Sequence, residues 1–224
     1  MQYQLNIAID PTGLSQIYAA NQAITVVKSV VASPLASGNL PIAWINFQPL
    51  EENAVTWIES YNIYATTTSL TAGATIVQTS VTGVPVQTGW TYTFQQGQFT
   101  GSQGGSASTF NMTNQQTGMF NFGLSQQAMV NNVPVMAPLN AIPVLTGESA
   151  TFTPEETVSV FLSNVVNNGV VLSQVASNAL VVTLTSAHPA ANIGFTDSSH
   201  SFYLASAPPM SSDAFARRLR SSRA

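Results

Sequence analysis

Polar and apolar residues alternate with period two over much of the chain. Across residues 2–10, Tyr3, Leu5, Ile7 and Ile9 share one side, while Gln2, Gln4, Asn6 and Asp10 share the other, the signature of a half-buried β-strand. Asp10-Pro11 then reads as a helix start, with Asp as N-cap, Pro in the first turn, and Leu14, Ile17 and Tyr18 at helical spacing. Residues 24–31 return to β-branched types and predict a second strand that contains Lys28. Further strands are predicted over 42–47, 55–65, 75–81, 90–94, 119–124, 180–185 and 201–204. In the 55–65 segment Val55, Trp57, Tyr61, Ile63 and Ala65 share a side, with Glu59 intruding among them.

Three stretches read less directly. Residues 95–109 are rich in Gln, Gly and Ser and predict a flexible loop or a long hairpin tip. Thr153-Pro154-Glu155-Glu156 has the form of a helix capping box, but the Val- and Phe-rich run that follows, with Val158, Val160 and Leu162 alternating, favours a strand. Asn167-Asn168-Gly169 is a hairpin-turn signal. Pro134, Pro138 and Pro143 mark either a proline-bearing edge segment or an extended linker, and the edge is the preferred reading.

The pattern therefore predicts an all-β fold: an antiparallel β-sandwich or flattened barrel of about ten or more short strands, with at most one or two short helices. Composition changes after Ala207-Pro208-Pro209, which divides a β-domain over 1–207 from a basic C-terminal tail over 208–224.

Charge sharpens this picture. Only 6% of the 224 residues are charged, against roughly 25% in an ordinary soluble domain. Residues 1–212 contain one cation, Lys28, against eight acids, whereas 213–224 hold Arg217, Arg218, Arg220 and Arg223 against Asp213. Such a body has almost nothing to offer phosphates, so nucleic-acid binding through it is not expected. With no cysteine, disulfide scaffolds and thiolate chemistry are excluded. No signal peptide or membrane-spanning segment is visible, which predicts a cytoplasmic protein or one exported by a leaderless route.

Candidate catalytic groups are sparse. His188 and His200 are the only histidines; Asp197, Ser198, Ser199 and His200 lie together, but without a nucleophile-elbow motif they read as a solvated turn. Glu51-Glu52 and Glu155-Glu156 are adjacent pairs whose members point to opposite faces of a strand, so they read as solvated strand ends. Glycosidase chemistry would need two carboxylates converging across a cleft from different strands. No catalytic residue, metal site or cofactor is expected.

What remains is surface chemistry. Trp57 and Tyr61 are expected in the core, while Trp44, Tyr64, Trp90 and Tyr92 are the candidate ligand-binding aromatics, Tyr64 because it falls on the face opposite Trp57. The uncharged Gln, Asn, Ser and Thr surface leaves sheet edges weakly guarded and suits self-association. In the tail, Phe215 and Leu219 fall on one side of a short helix and Arg217, Arg218 and Arg220 near its end, a docking element for an acidic partner. In size, lack of cysteine and aromatic content the chain is similar in architecture to small membrane-binding β-proteins such as actinoporins and aegerolysins, with no shared diagnostic motif. The expectation is a non-enzymatic, toxin- or lectin-like binding protein, oligomeric with itself, that engages glycan or lipid surfaces. A self-assembling structural subunit is the alternative, and a hydrolase comes third.

Overall fold

Alternation becomes strand along most of the chain in the computed structural model, which describes residues 1–34 and 40–206. The first strands are β1 (Gln2–Ala8), β2 (Ala23–Ser33), β3 (Ile42–Ala43), β4 (Ile45–Phe47) and β5 (Glu52–Thr66), with the helix α1 (Pro11–Ala19) between β1 and β2. β6 (Ser80–Val81), β7 (Trp90–Gln95), β8 (Gln98–Gln103), β9 (Phe110–Asn114) and β10 (Phe120–Val130) follow. The remainder are β11 (Val133–Pro138), β12 (Ile142–Val144), β13 (Ser149–Ser163), β14 (Val170–Val171), β15 (Leu180–Thr183), β16 (Ala190–Thr196) and β17 (Ser201–Leu204).

An eight-stranded sheet runs β11-β10-β5-β1-β16-β17, with β12 beside β10 and β6 beside β5. A seven-stranded sheet runs β4-β2-β13-β9-β7-β8, with β15 beside β13. β3 and β14 form a separate pair. The arrangement is sandwich-like: one apolar core takes side chains from both large sheets, including Leu5, Val55 and Leu124 from the first and Val26, Phe152 and Val160 from the second. Phe94 of β7 meets Phe122 of β10 at 5.4 Å and Phe120 at 5.3 Å, edge-on in both cases.

Most predicted strands form as read. Tyr3, Leu5, Ile7 and Ile9 are all buried. Residues 153–163 are strand, the second part of β13, which ends at Ser163 short of the 164–166 stretch. The proline-rich stretch is an edge: β11 pairs β10 through a two-residue turn at Asn131-Asn132, and β12 also pairs β10. Asp10 caps α1, its carboxylate accepting from the Gly13 amide at 2.8 Å. Ile17 packs inward, while Tyr18 stays about half exposed.

Four expectations are corrected. The sheets are mixed, because β1 pairs β16 and β7 pairs β9 in parallel, while the other pairings are antiparallel. Residues far apart in sequence make those pairings, so local alternation carries no trace of their direction. Of the two readings of residues 95–109 the hairpin is the one that forms, with a tight tip in place of a long one. Gln96 and Gly97, both at positive φ, form a two-residue turn, and β8 returns along β7 with Gln95 paired to Gln98. Of the predicted 75–81 strand only Ser80–Val81 and an isolated bridge at Thr75 remain. After Asn167-Asn168-Gly169 the chain enters β14, which pairs β3, so the turn does not fold it back onto β13. The tail, with Phe215, Arg217, Arg218, Leu219 and Arg220, lies outside the described residues, as does the tail side of the boundary after Ala207.

Candidate functional site

The most polar part of the core surrounds Lys28. It lies on the same side of β2 as Ile24 and Val26, so strand alternation drives its side chain between the sheets, where the residue is 2% exposed. Its ammonium donates to Glu156 Oε1 at 2.8 Å and Oε2 at 2.9 Å, to Gln126 Oε1 at 3.0 Å and to Tyr61 Oη at 3.2 Å. The rings of Trp44, Trp57 and Tyr61 sit 5.2–5.7 Å from Nζ, close enough for cation–π attraction. Trp57 Nε1 donates to Glu156 Oε2 at 2.7 Å and Tyr61 Oη to Glu156 Oε1 at 2.8 Å. Glu156 thus accepts two hydrogen bonds on each oxygen, which fills the capacity of a carboxylate.

Two bulges build this arrangement, one in each sheet. Opposite β10 the register of β5 jumps between Trp57 and Tyr61, so Ile58, Glu59 and Ser60 face Gln127 alone. Opposite β2 the register of β13 jumps between Pro154 and Val158, so Glu155, Glu156 and Thr157 face Ser29 alone. Bulges of this kind re-aim side chains and gather at functional sites. Gln126 occupies the opening in β5, donating to Ile58 O at 2.6 Å, while Trp44 Nε1 donates to Gln126 O at 3.1 Å.

Both bulges reach one surface cleft of about 480 Å³, walled by Glu59 and Tyr61 from one sheet and Phe110, Thr153 and Glu156 from the other, with Gln87, Thr88 and Ser108 on the loops. Glu59 Oε1 accepts from Tyr3 Oη at 3.1 Å, and its carboxylate lies 3.6 Å from the amino group of Met1. Tyr61 and Phe110 rings touch at 5.4 Å and form the floor, both nearly covered. Burial pushes the Lys28 ammonium down to about 8, against the opposing pull of the Glu156 carboxylate. Burial also raises Tyr61, with Glu156 adding to the rise; Tyr3 is pushed up to about 12 by burial and by its bond to Glu59.

The predicted aromatic binding residues are not gathered here as a platform. Trp44 is fully buried against Trp57, with ring centroids 5.5 Å apart. Tyr64, expected at the surface, is fully buried as well. Its face of β5 is covered by the segment around Asn140, whose carbonyl accepts from Tyr64 Oη at 2.6 Å, and burial raises the phenol. That crossing depends on Gly123, where a Cβ would lie 1.8 Å from Asn140 O. Tyr92 is buried, its Oη accepting from the Gln87 amide at 2.8 Å, and Trp90 is half-buried. Trp57 and Tyr61 are in the core, as expected. His188 and His200 are exposed.

Sequence reasoning assigned Glu155-Glu156 to a solvated strand end; the structure corrects this for Glu156, which turns inward while Glu155 faces solvent. The available signal was phase: Lys28, Glu59 and Glu156 each occupy the inward parity of a strand whose neighbours of that parity are apolar. Among the described residues no group of three or more His, Cys, Asp and Glu could hold a metal. No helix among them is long and apolar enough to cross a membrane, which says nothing about strands. No protein-family model, curated protein or solved structure matches the chain.

Proposed function

We propose that the protein is a non-enzymatic binding protein built on a β-sandwich, and that the cleft between the two bulges takes a neutral glycan. The observation that carries this reading is the convergence of Glu59, Gln87, Thr88, Ser108 and Thr153 on one open cleft, with Phe110 and Tyr61 beneath. Carboxylate, amide and hydroxyl groups converging on one cleft match the hydroxyls of a sugar. The wall's two carboxylates are each matched by a cation already engaged, Glu59 by the Met1 amino group and Glu156 by buried Lys28. Among the described residues the cleft therefore offers anionic headgroups and acidic sugars no unpaired cation. Glu156 has no free lone pair with which to attack a substrate or accept a proton, so it acts as the fixed post of the cleft wall, and Glu59 is the carboxylate that meets ligand.

Isothermal titration of a panel of neutral, sialylated and sulfated oligosaccharides tests the proposal. The expected result is binding confined to neutral glycans and weakened tenfold or more by Glu59→Gln. Absence of binding across the panel, preference for acidic sugars, or an unaffected Glu59→Gln variant would overturn it. Release of reducing ends from a bound oligosaccharide would overturn the non-enzymatic part.

A further inference from the structure

The main runs of the two large sheets end at β11, β17, β4 and β8, which are guarded very differently, and the side strands β6, β12 and β15 are only two to four residues long. β11 carries Pro134 and Pro138, which remove backbone donors; β4 is three residues long and β17 four. β8 has six residues, Gln-Phe-Thr-Gly-Ser-Gln, with no proline, no charge and no bulge against β7. Its sequence holds none of the devices by which β-proteins keep their edges apart.

The turn fixes which groups are free. In a two-residue hairpin Gln95 and Gln98 exchange both hydrogen bonds, so Gln98, Thr100 and Ser102 bond to β7. Phe99, Gly101 and Gln103 then aim their N–H and C=O groups away from β7, and no backbone partner takes them among the described residues. Phe99 meanwhile packs its ring against Phe94 at 4.9 Å, which holds the strand in line with its sheet.

We infer that β8 is a self-association edge whose partner is β8 of a second copy of this chain, paired antiparallel about a two-fold axis through Gly101. An axis perpendicular to the sheet keeps the inner faces of both copies on one side, as strand pairing requires. In that register Gly101 faces Gly101, Phe99 faces Gln103, and all three free residues exchange both bonds, about six hydrogen bonds. Thr100 and Ser102 then oppose each other as hydroxyl pairs on the other face. The strand is neutral, so the pairing brings no like charges together. A single strand row covers less than the roughly 1,200–2,000 Å² of a stable complex, so the dimer forms reversibly with concentration. This contact is independent of the glycan cleft.

Sedimentation velocity on the full chain tests it, from about 10 µM to 1 mM, the range in which an interface of this size associates. Gly101→Pro is unsuitable, because a Cβ there would meet the Tyr92 ring at 2.9 Å. Thr100→Lys combined with Gln103→Pro places a charge on the edge and removes an outward donor while leaving the bonds to β7. Wild type is expected to shift from monomer to dimer, with a Kd that moves less than twofold between about 50 and 500 mM salt, since the edge is uncharged. The double variant, with unaltered circular dichroism and melting temperature, is expected to dimerise at least tenfold more weakly, and Met136→Lys on β11 as wild type does. A chain monomeric throughout, a double variant that dimerises like wild type, or a dimer lost at high salt would each overturn the assignment, the last by giving the contact to charged groups.

Discussion

Two stretches of the same intersheet layer, a few residues apart along β10, are filled in opposite ways. At Phe120 and Phe122 the gap is closed by rings alone, with Phe94 reaching across from the other sheet at 5.3–5.4 Å and Phe99 at 6.2 Å. At Gln126 the gap holds an ammonium, a carboxylate, an amide and three indole or phenol groups, each bonded to another. The phenylalanine region depends on volume, which several apolar residues can supply. The Lys28 region depends on stoichiometry: every donor has an acceptor, so removing one member strands the rest in a poorly solvating interior. Both regions are well filled, but only the second is tied to a surface cleft, because the bulges that admit its charges also open the sheets.

The largest way to break this contrast is Lys28→Met. Glu156 would keep a charge with no cation beside it, and the expected loss of stability in urea unfolding is about 3–5 kcal/mol. Adding Glu156→Gln removes the stranded charge and leaves an amide oxygen to accept from Trp57 Nε1 and an amide N–H to donate to Tyr61 Oη, so the double variant should recover most of that loss. Losses that simply add would show that the two residues are not coupled.

A smaller effect comes from pH. The folded Lys28 has its pKa near 8, below the ordinary lysine value of 10.5, so between those values the unfolded chain holds a proton that the folded chain has released. Unfolding then takes up a proton and stability rises with pH, by about 2–3 kcal/mol from pH 8 to 10. Above pH 10 the sign reverses: Tyr3, Tyr61 and Tyr64, raised in the folded state, keep protons that their unfolded counterparts lose, and stability falls. Unfolding free energies measured across pH 7–11 should pass through a maximum near 10, and Lys28→Met should lose the rising limb. A wild-type curve flat across pH 8–10 would contradict the sign.

The smallest change belongs to the phenylalanine region. Phe122→Leu keeps an apolar filler beside Phe94, and the rings around it can shift, so the expected cost is about 1–2 kcal/mol. A cost equal to that of Lys28→Met would erase the distinction between the two regions.

Much of this was legible from residues alone. Alternation located β1, β2, β5, β7 and β13, and Asp10-Pro11 located α1, because side-chain direction along a strand and capping of a helix are local properties. The scarcity of charge likewise defined the surface. Three features were decided only in three dimensions. The parallel pairings of β1 with β16 and β7 with β9 join segments whose own patterns are silent about partner direction. Tyr64 sits on the polar parity of β5, but the stretch around Asn140 crosses that face and buries it, so parity reported the side correctly and the environment wrongly. Lys28, Glu59 and Glu156 stood at inward parity in the sequence, as isolated interruptions of apolar runs. That Lys28 and Glu156 meet, and that Glu59 shares their cleft, follows from two bulges in different sheets facing each other. A bulge is a mismatch between two paired strands, and one strand read by itself cannot show it.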